Sequence, residues 1–460
     1  MRGTVSLLSR CRNVPWLPTG LAMAIAVTSA GGTSACGKTS AHKRTGDASL
    51  VEVITTPALP DAMVPGGAIS EEVEPNDGDD VATALPPGAT VHGKIDPDAD
   101  VDHYRINVTA AGALSVMVEG HDALDVVLEI TDDSGTVIAR SDRGGPRIRE
   151  GVPNLGVSPG RYMAIVQAKK PPPPKPAAKA PGKKRSAKKP APEPAPPAPI
   201  GGPYEITARI AEAAAGAEHE PDDDRGQAND LIAGDAGTGY IGWTGDADVW
   251  KVSVEALSAK NALDIELSAV EGIALSIEIS DGIGQTITAR KGPRGAPLVV
   301  RGFVPAVPQG APPFHYLTIR ADRSNPETAY QLRAVAKVIA PDAEIEPNDT
   351  PETAMAVPVD RKSLHAHWSA GDVDCFAVPP DAAARTLDIS IDTPNDLDLA
   401  LDLLVDGKLV SKVDHPSRGA AERLVAPVPP GAHAVVRVRG ADAAGDGSYE
   451  LVINESPGPP

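Results

Sequence analysis

Glu72-Val73-Glu74-Pro75-Asn76-Asp77 is a short acidic string that the chain repeats twice more. The later copies read Glu218-His219-Glu220-Pro221-Asp222-Asp223 and Glu344-Ile345-Glu346-Pro347-Asn348-Asp349. Each is followed by an Asp-x-Asp-x-aromatic element: Asp100, Asp102 and Tyr104; Asp246, Asp248 and Trp250; Asp372, Asp374 and Phe376. The offset from the first Glu to the first Asp is 28 positions in all three copies. An offset kept constant three times marks an internal repeat, with one architectural unit per copy.

Downstream of each acidic string, apolar and polar residues alternate. Tyr104, Ile106 and Val108 are interleaved with Arg105 and Asn107, and Val126, Leu128 and Ile130 with Val127 and Glu129. Trp250, Val252 and Val254 repeat the pattern, as do Leu397, Leu399, Leu401 and Leu403 around Asp398, Ala400 and Asp402. A period of two is the mark of a half-buried strand. Asp132-Asp133-Ser134-Gly135, Asp281-Gly282 and Asp406-Gly407 supply turns between such strands. Each copy closes on two further segments that read as a hairpin: 162–166 with 204–206, 316–319 with 330–332, and 434–438 with 449–452. About eight short strands per copy predict an all-β chain of three tandem jelly-roll-like β-sandwiches. The 44 glycines, 47 prolines and 3% aromatics suit strands joined by tight turns, and 460 residues leave room for three domains.

These strings, the alternating strands and the closing Gly-x-Tyr…Tyr pair resemble the bacterial pre-peptidase C-terminal domain, a family related to the collagen-binding modules of secreted collagenases. The resemblance runs from residue 71 to about residue 454. It implies a jelly-roll sandwich found on exported proteins and often appended to proteases. In collagen-binding members the acidic N-terminal segment and the downstream Asp pair hold calcium. No protease domain accompanies the repeats here, which departs from the family's usual context.

The carboxylates point the same way on their own chemistry. Calcium takes six to eight oxygens from carboxylates, amides and backbone. Glu-x-Glu places two carboxylates on one side of an extended segment, because alternate residues face alike. The candidate ligands are Glu72, Glu74, Asn76, Asp77, Asp100 and Asp102; Glu218, Glu220, Asp222, Asp223, Asp246 and Asp248; and Glu344, Glu346, Asn348, Asp349, Asp372 and Asp374. So many like charges brought together without a cation would repel. The bland reading is that Pro-Asn-Asp makes an Asx turn and the other carboxylates face water. Recurrence in all three copies suits a structural ion better than one active site, although a paired-carboxylate glycosidase uses the same residue types. No G-x-S-x-G, no H-E-x-x-H and no Cys/His pair with a supporting context occurs, so no catalytic residue is assigned and the chain is expected not to be an enzyme.

The first 35 residues read as an export signal. Arg2, Arg10 and Arg12 precede the apolar run 21–27, which is too short to span a bilayer. Small residues then lead to Thr33-Ser34-Ala35-Cys36-Gly37, which resembles a bacterial lipoprotein signal with Cys36 as the lipidated residue; Thr33 departs from the usual leucine. Acyl chains at Cys36 would be the membrane attachment. Gly32 to Thr39 matches the phosphate-loop pattern letter for letter, but that loop works only between a buried strand and a helix, and neither is indicated. No nucleotide is expected. Cys375 stands alone and reads as a small buried hydrophobe.

The expected organisation is a signal at 1–35, a tether at 36–70 and sandwiches at 71–210, 211–338 and 339–456. A Lys/Pro/Ala-rich insert at 169–202 lies inside the last hairpin of the first sandwich. A net charge of −19 argues against nucleic acid as a partner. The function expected is a lipid-anchored, calcium-stabilised protein of the cell envelope, placed at the outer membrane, that binds a protein or polysaccharide. A structural spacer and an accessory to a secreted protease are the alternatives.

Overall fold

The computed structural model describes residues 68–96, 100–121, 124–169, 201–360, 363–442 and 445–458. The expected signal, Cys36, the tether before residue 68, the phosphate-loop-like string and the insert between 170 and 200 lie outside the described residues.

Strands form where the alternating residues predict them. Val101–Val108 buries Asp102, Tyr104, Ile106 and Val108 and turns the residues between them outward. In the first sandwich one sheet runs, in spatial order, Thr83–Ala84, Val101–Val108, Gly160–Ala168, Val126–Thr131 and Val137–Ser141. The other runs Ile69–Glu71, Thr90–Ile95, Gly202–Ala211, Gly112–Gly120 and Glu150–Val157. The second sandwich repeats the first order with Asn229–Leu231, Asp248–Ser253, Phe314–Ala321, Leu275–Ser280 and Thr286–Lys291. Facing it are Ala236–Ile241, Asn325–Val338, Asn261–Leu267 and Leu298–Phe303. The third does so again with Met355–Ala356, Val373–Val378, Ala434–Gly440, Leu399–Val405 and Lys408–Val413. Its second sheet holds Ser363–Ser369, Asp446–Pro457, Arg385–Asp392 and Glu422–Val428. The chain is three tandem β-sandwiches with no helix among the described residues.

Each sandwich closes over its own apolar core. The large aromatics go inward: Tyr104, Tyr204, Trp250, Phe303, Tyr330, Trp368 and Phe376 are all fully buried. Alternation is lost where a strand is covered on both faces. Every residue of Leu399–Val405 is buried, and Asp402 within it is held by Arg437 Nη2 at 2.6 Å and Arg439 Nε at 3.2 Å.

The closing segments are not hairpins. Gly160–Ala168 lies between Val101–Val108 and Val126–Thr131, whereas Gly202–Ala211 lies in the opposite sheet between Thr90–Ile95 and Gly112–Gly120. The second and third sandwiches separate their closing strands in the same way. Each closing strand is the middle of its own sheet, so both of its backbone edges are taken by strands distant in sequence. The two strands therefore do not form the hairpin expected to hold residues 169–202, because they belong to opposite sheets.

The sandwiches join by strand addition. Leu155, on the edge strand Glu150–Val157, bridges Glu220 of the next acidic segment in parallel. The Gly156 N–H donates to the Glu220 carbonyl at 2.7 Å, and the Glu220 N–H to the Asn154 carbonyl at 3.1 Å. At the second junction Phe303 bridges Glu346, with Val304 N–H to Glu346 O at 2.9 Å and Glu346 N–H to Gly302 O at 3.0 Å. Both receiving strands carry a bulge, and both place a residue there at positive φ, Asn154 at 52° and Gly302 at 68°. A bulge bends an edge and frees backbone groups for a partner. The equivalent edge of the third sandwich, Glu422–Val428, pairs with Arg385–Asp392 in unbroken register. Among the described residues it has no positive φ.

Candidate metal centre

The acidic segment that docks on one sandwich builds a carboxylate centre in the next. One oxygen from each of Glu72, Glu74 and Asp102 lies within 4.8 Å of the others, and the same holds for Glu218, Glu220 and Asp248 and for Glu344, Glu346 and Asp374. Two local rules produce this. Alternate residues of the extended Glu-x-Glu face alike, and the second Asp of each pair is an inward position of the strand it enters.

Fixed donors aim each carboxylate. The first Glu accepts a backbone N–H from the neighbouring strand: Lys94 at 2.7 Å, Tyr240 at 2.7 Å and His367 at 2.8 Å. The second Glu accepts the N–H two residues on, from Asn76 at 2.9 Å, Asp222 at 3.0 Å and Asn348 at 2.7 Å. The inward Asp meets a tyrosine of the closing strand. The Tyr204 hydroxyl donates to Asp102, Tyr449 donates to Asp374 Oδ2 at 2.5 Å, and Tyr330 faces Asp248.

The other expected ligands are placed unevenly. Asn348 Nδ2 donates to Glu344 Oε1 at 2.8 Å, and Asn76 Nδ2 to Glu72 Oε2 at 3.4 Å. Asp222 stands at that position in the second copy and accepts from Asn229 Nδ2 at 2.5 Å. Asp246 accepts the Gly242 N–H at 2.5 Å. Asp77 is exposed, Asp100 caps the Asp96 N–H at 2.6 Å, and Asp223 caps the Ala247 N–H at 3.2 Å. Asp100 and Asp223 thus serve the turn, and none of the three is in the triad.

The three centres differ in what covers them. No sandwich precedes the first among the described residues, and Glu74 there is exposed with Glu72 half-buried. The second centre is closed by the first sandwich, and Glu218, Glu220, Asp222, Asp246 and Asp248 are all buried. Among the described residues none of these five is in a salt bridge. Glu218 Oε2, Glu220 Oε1, Asp222 Oδ1 and Asp246 Oδ1 are buried without hydrogen-bond partners. Burial first, and then the charge of their neighbours, push Glu220 up to about 11, Asp222 to about 8 and Asp246 to about 7, with Glu218 and Asp248 well above the usual carboxylate range.

The third centre holds a cation of the chain's own. Arg290 of the second sandwich is 2% exposed and sends Nη2 to Glu346 Oε1 at 3.0 Å and to Asp372 Oδ1 at 2.7 Å, and Nη1 to Asp349. Thr288 Oγ1 adds a bond to Asp349 Oδ2 at 3.0 Å. Burial would lower the Arg290 pKa, but Asp372, Glu346 and Asp349 hold it raised. Asp372 and Asp349 are thus partners of this arginine.

Donor chemistry at the second centre fits a hard divalent cation: all-oxygen, rich in carboxyl groups, with buried oxygens that have no hydrogen-bond partner. Sequence reasoning did not find Arg290 or assign Tyr204, Tyr330 and Tyr449 to the centres. The tyrosines had a signal, since one stands in the closing strand of every copy. Arg290 had none, because it lies 56 residues from Glu346 and in another sandwich.

Comparison with known proteins adds little beyond this geometry. No protein-family model matches the chain, and no curated protein matches it. Among solved structures, the pre-peptidase C-terminal domain of collagenase from Bacillus anthracis is similar at 17% identity and a TM-score of 0.19, covering 28% of this chain and 94% of that one. A protein from Eubacterium rectale assigned as secreted is similar at 8% identity and a TM-score of 0.17, covering 51% of this chain and 81% of that one. At these scores neither likeness carries an argument about function.

Proposed function

We propose that this protein is an exported, non-catalytic spacer of the cell envelope, attached through acyl chains at Cys36. Its sandwiches are coupled in series, and calcium held in the second acidic centre fixes the angle between the first two. The observation that carries this reading is the double use of one segment. The backbone of 218–223 extends the sheet of the first sandwich while its side chains build the second centre. A cation there would tie two sandwiches together rather than decorate one. Binding of a protein or polysaccharide by an aromatic face has less support. Among the described residues the exposed large apolar side chains, such as Ile69, Val73, Ile232 and Val359, are aliphatic, and no aromatic is among them.

Small-angle scattering from the chain in millimolar calcium and then in chelator tests the proposal. Calcium is expected to give one extended particle of fixed maximal dimension, and chelation a broader distribution from bending at the first junction. Identical scattering in both, with a flexible profile throughout, would remove the stiff-spacer reading.

A further inference from the structure

The third centre repeats the Glu, Glu and Asp of the second, but the sandwich that covers it presents different residues. In each sandwich a line of paired residues runs across the first sheet from the inward Asp. It reads Asp102, Val166, Leu128 and Ser141 in the first; Asp248, Ile319, Ile277 and Arg290 in the second; and Asp374, Val438, Leu401 and Val413 in the third. Ser141 and Arg290 therefore hold the same position, each on the sandwich that covers the next acidic centre.

Their surroundings explain why they act differently. The edge strand facing Ser141 carries Glu150, which is buried and accepts from Ser141 Oγ at 2.6 Å, so this serine is satisfied within its own sandwich. The register partner of Glu150 is Val118, and the matching position in the second sandwich, opposite Leu267, is Leu298. An apolar Leu298 offers Arg290 nothing. The guanidinium reaches across the junction instead and ends between Glu346, Asp349 and Asp372.

We infer that Arg290 is a built-in cation that replaces a divalent ion at the third centre. Metal binding at the junctions is then confined to the second centre, where Ser141 leaves five buried carboxylates unpaired. A buried guanidinium and a divalent ion cannot share one carboxylate set, because each would be desolvated against the other's charge. The two junctions are held by different means. The first depends on free calcium, and the second is permanent. The inference rests on the calcium reading for the second centre, but its own claim concerns Arg290 and can fail separately.

Equilibrium dialysis of radioactive calcium against the full chain counts the ions. Asp248→Asn is expected to lower the count of the wild-type chain by one, and Glu346→Gln to leave it unchanged. Arg290→Gln, which empties the third centre of its cation, is expected to raise the count by one, and adding Glu346→Gln to it should remove that gain. A fall in the count when Glu346→Gln is made in the wild-type chain would overturn the inference, as would an unchanged count in folded Arg290→Gln. The Glu346→Gln arm leaves Arg290 in place, so it decides the matter even if the arginine variant does not fold. If Asp248→Asn changes nothing, the calcium reading of the second centre fails, while a gain in Arg290→Gln still upholds the role of Arg290. Limited proteolysis in chelator gives a second readout: cleavage is expected between residues 211 and 217 and not between 339 and 343.

Discussion

At the scale of single residues, space and charge around the inward Asp decide what each copy tolerates. Gly239 pairs with Tyr330, and a Cβ there would lie 2.1 Å from Glu218 Oε2 and 2.4 Å from the Tyr330 hydroxyl. Gly93 is equally confined by Tyr204 and Tyr104. The third copy has Ala366 at this position, opposite Tyr449, and there the strand aromatic is Phe376, which has no hydroxyl. Gly239→Ala is expected to cost about 1–3 kcal/mol by overpacking, read as a lower urea midpoint. Arg290→Ala should cost more, about 3–5 kcal/mol, because it leaves buried carboxylates uncompensated; added calcium should restore part of that loss in a thermal melt.

His315 supplies a pH dependence apart from the acidic centres. It is 1% exposed against Phe303, and burial lowers its pKa below the ordinary 6.5. Below 6.5 the unfolded chain takes up a proton that the folded chain refuses, so stability falls as pH drops. The loss continues until the folded-state pKa is reached. His315→Phe should flatten the slope of the urea midpoint between pH about 7 and about 5, and an unaltered slope would place the dependence elsewhere.

At the scale of elements, alternation and turn chemistry made the strands readable, and the constant offset was enough to group Glu72, Glu74 and Asp102 from sequence alone. Pairing of the closing strands was not readable, since Gly160–Ala168 and Gly202–Ala211 are neighbours in the chain but central strands of opposite sheets. Nothing local distinguishes a hairpin from a crossover when both partners alternate. Junctions were invisible for a related reason. Asn154 and Gly302 matter because their positive φ opens a bulge to a distant acidic segment, and sequence shows only an Asn and a Gly. Gly302→Val should uncouple the third sandwich, because φ of 68° costs a β-branched residue about 1–2 kcal/mol and its Cβ would meet the Glu344 carbonyl at 2.8 Å. Calorimetry should then resolve two transitions where the unaltered chain shows coupled melting.

At the scale of the whole molecule, one segment does two jobs, and this gives the array a direction. The second and third acidic segments each extend the sheet behind them and seed the sandwich ahead. The edge Glu422–Val428 of the third sandwich stays in unbroken register and carries no such bulge. Arg290 offsets the charge at one junction, and on the calcium proposal a free ion does so at the other. The central claim is that the buried carboxylates of 218–248 hold a divalent cation, and a thermal melt in millimolar calcium against chelator tests it most directly. An ion bound only by the folded chain adds about 2.7 kcal/mol at a hundredfold excess over Kd. The account predicts a clear rise in Tm with calcium that Asp248→Asn abolishes and Glu346→Gln leaves intact. Equal melting temperatures with and without calcium would contradict it.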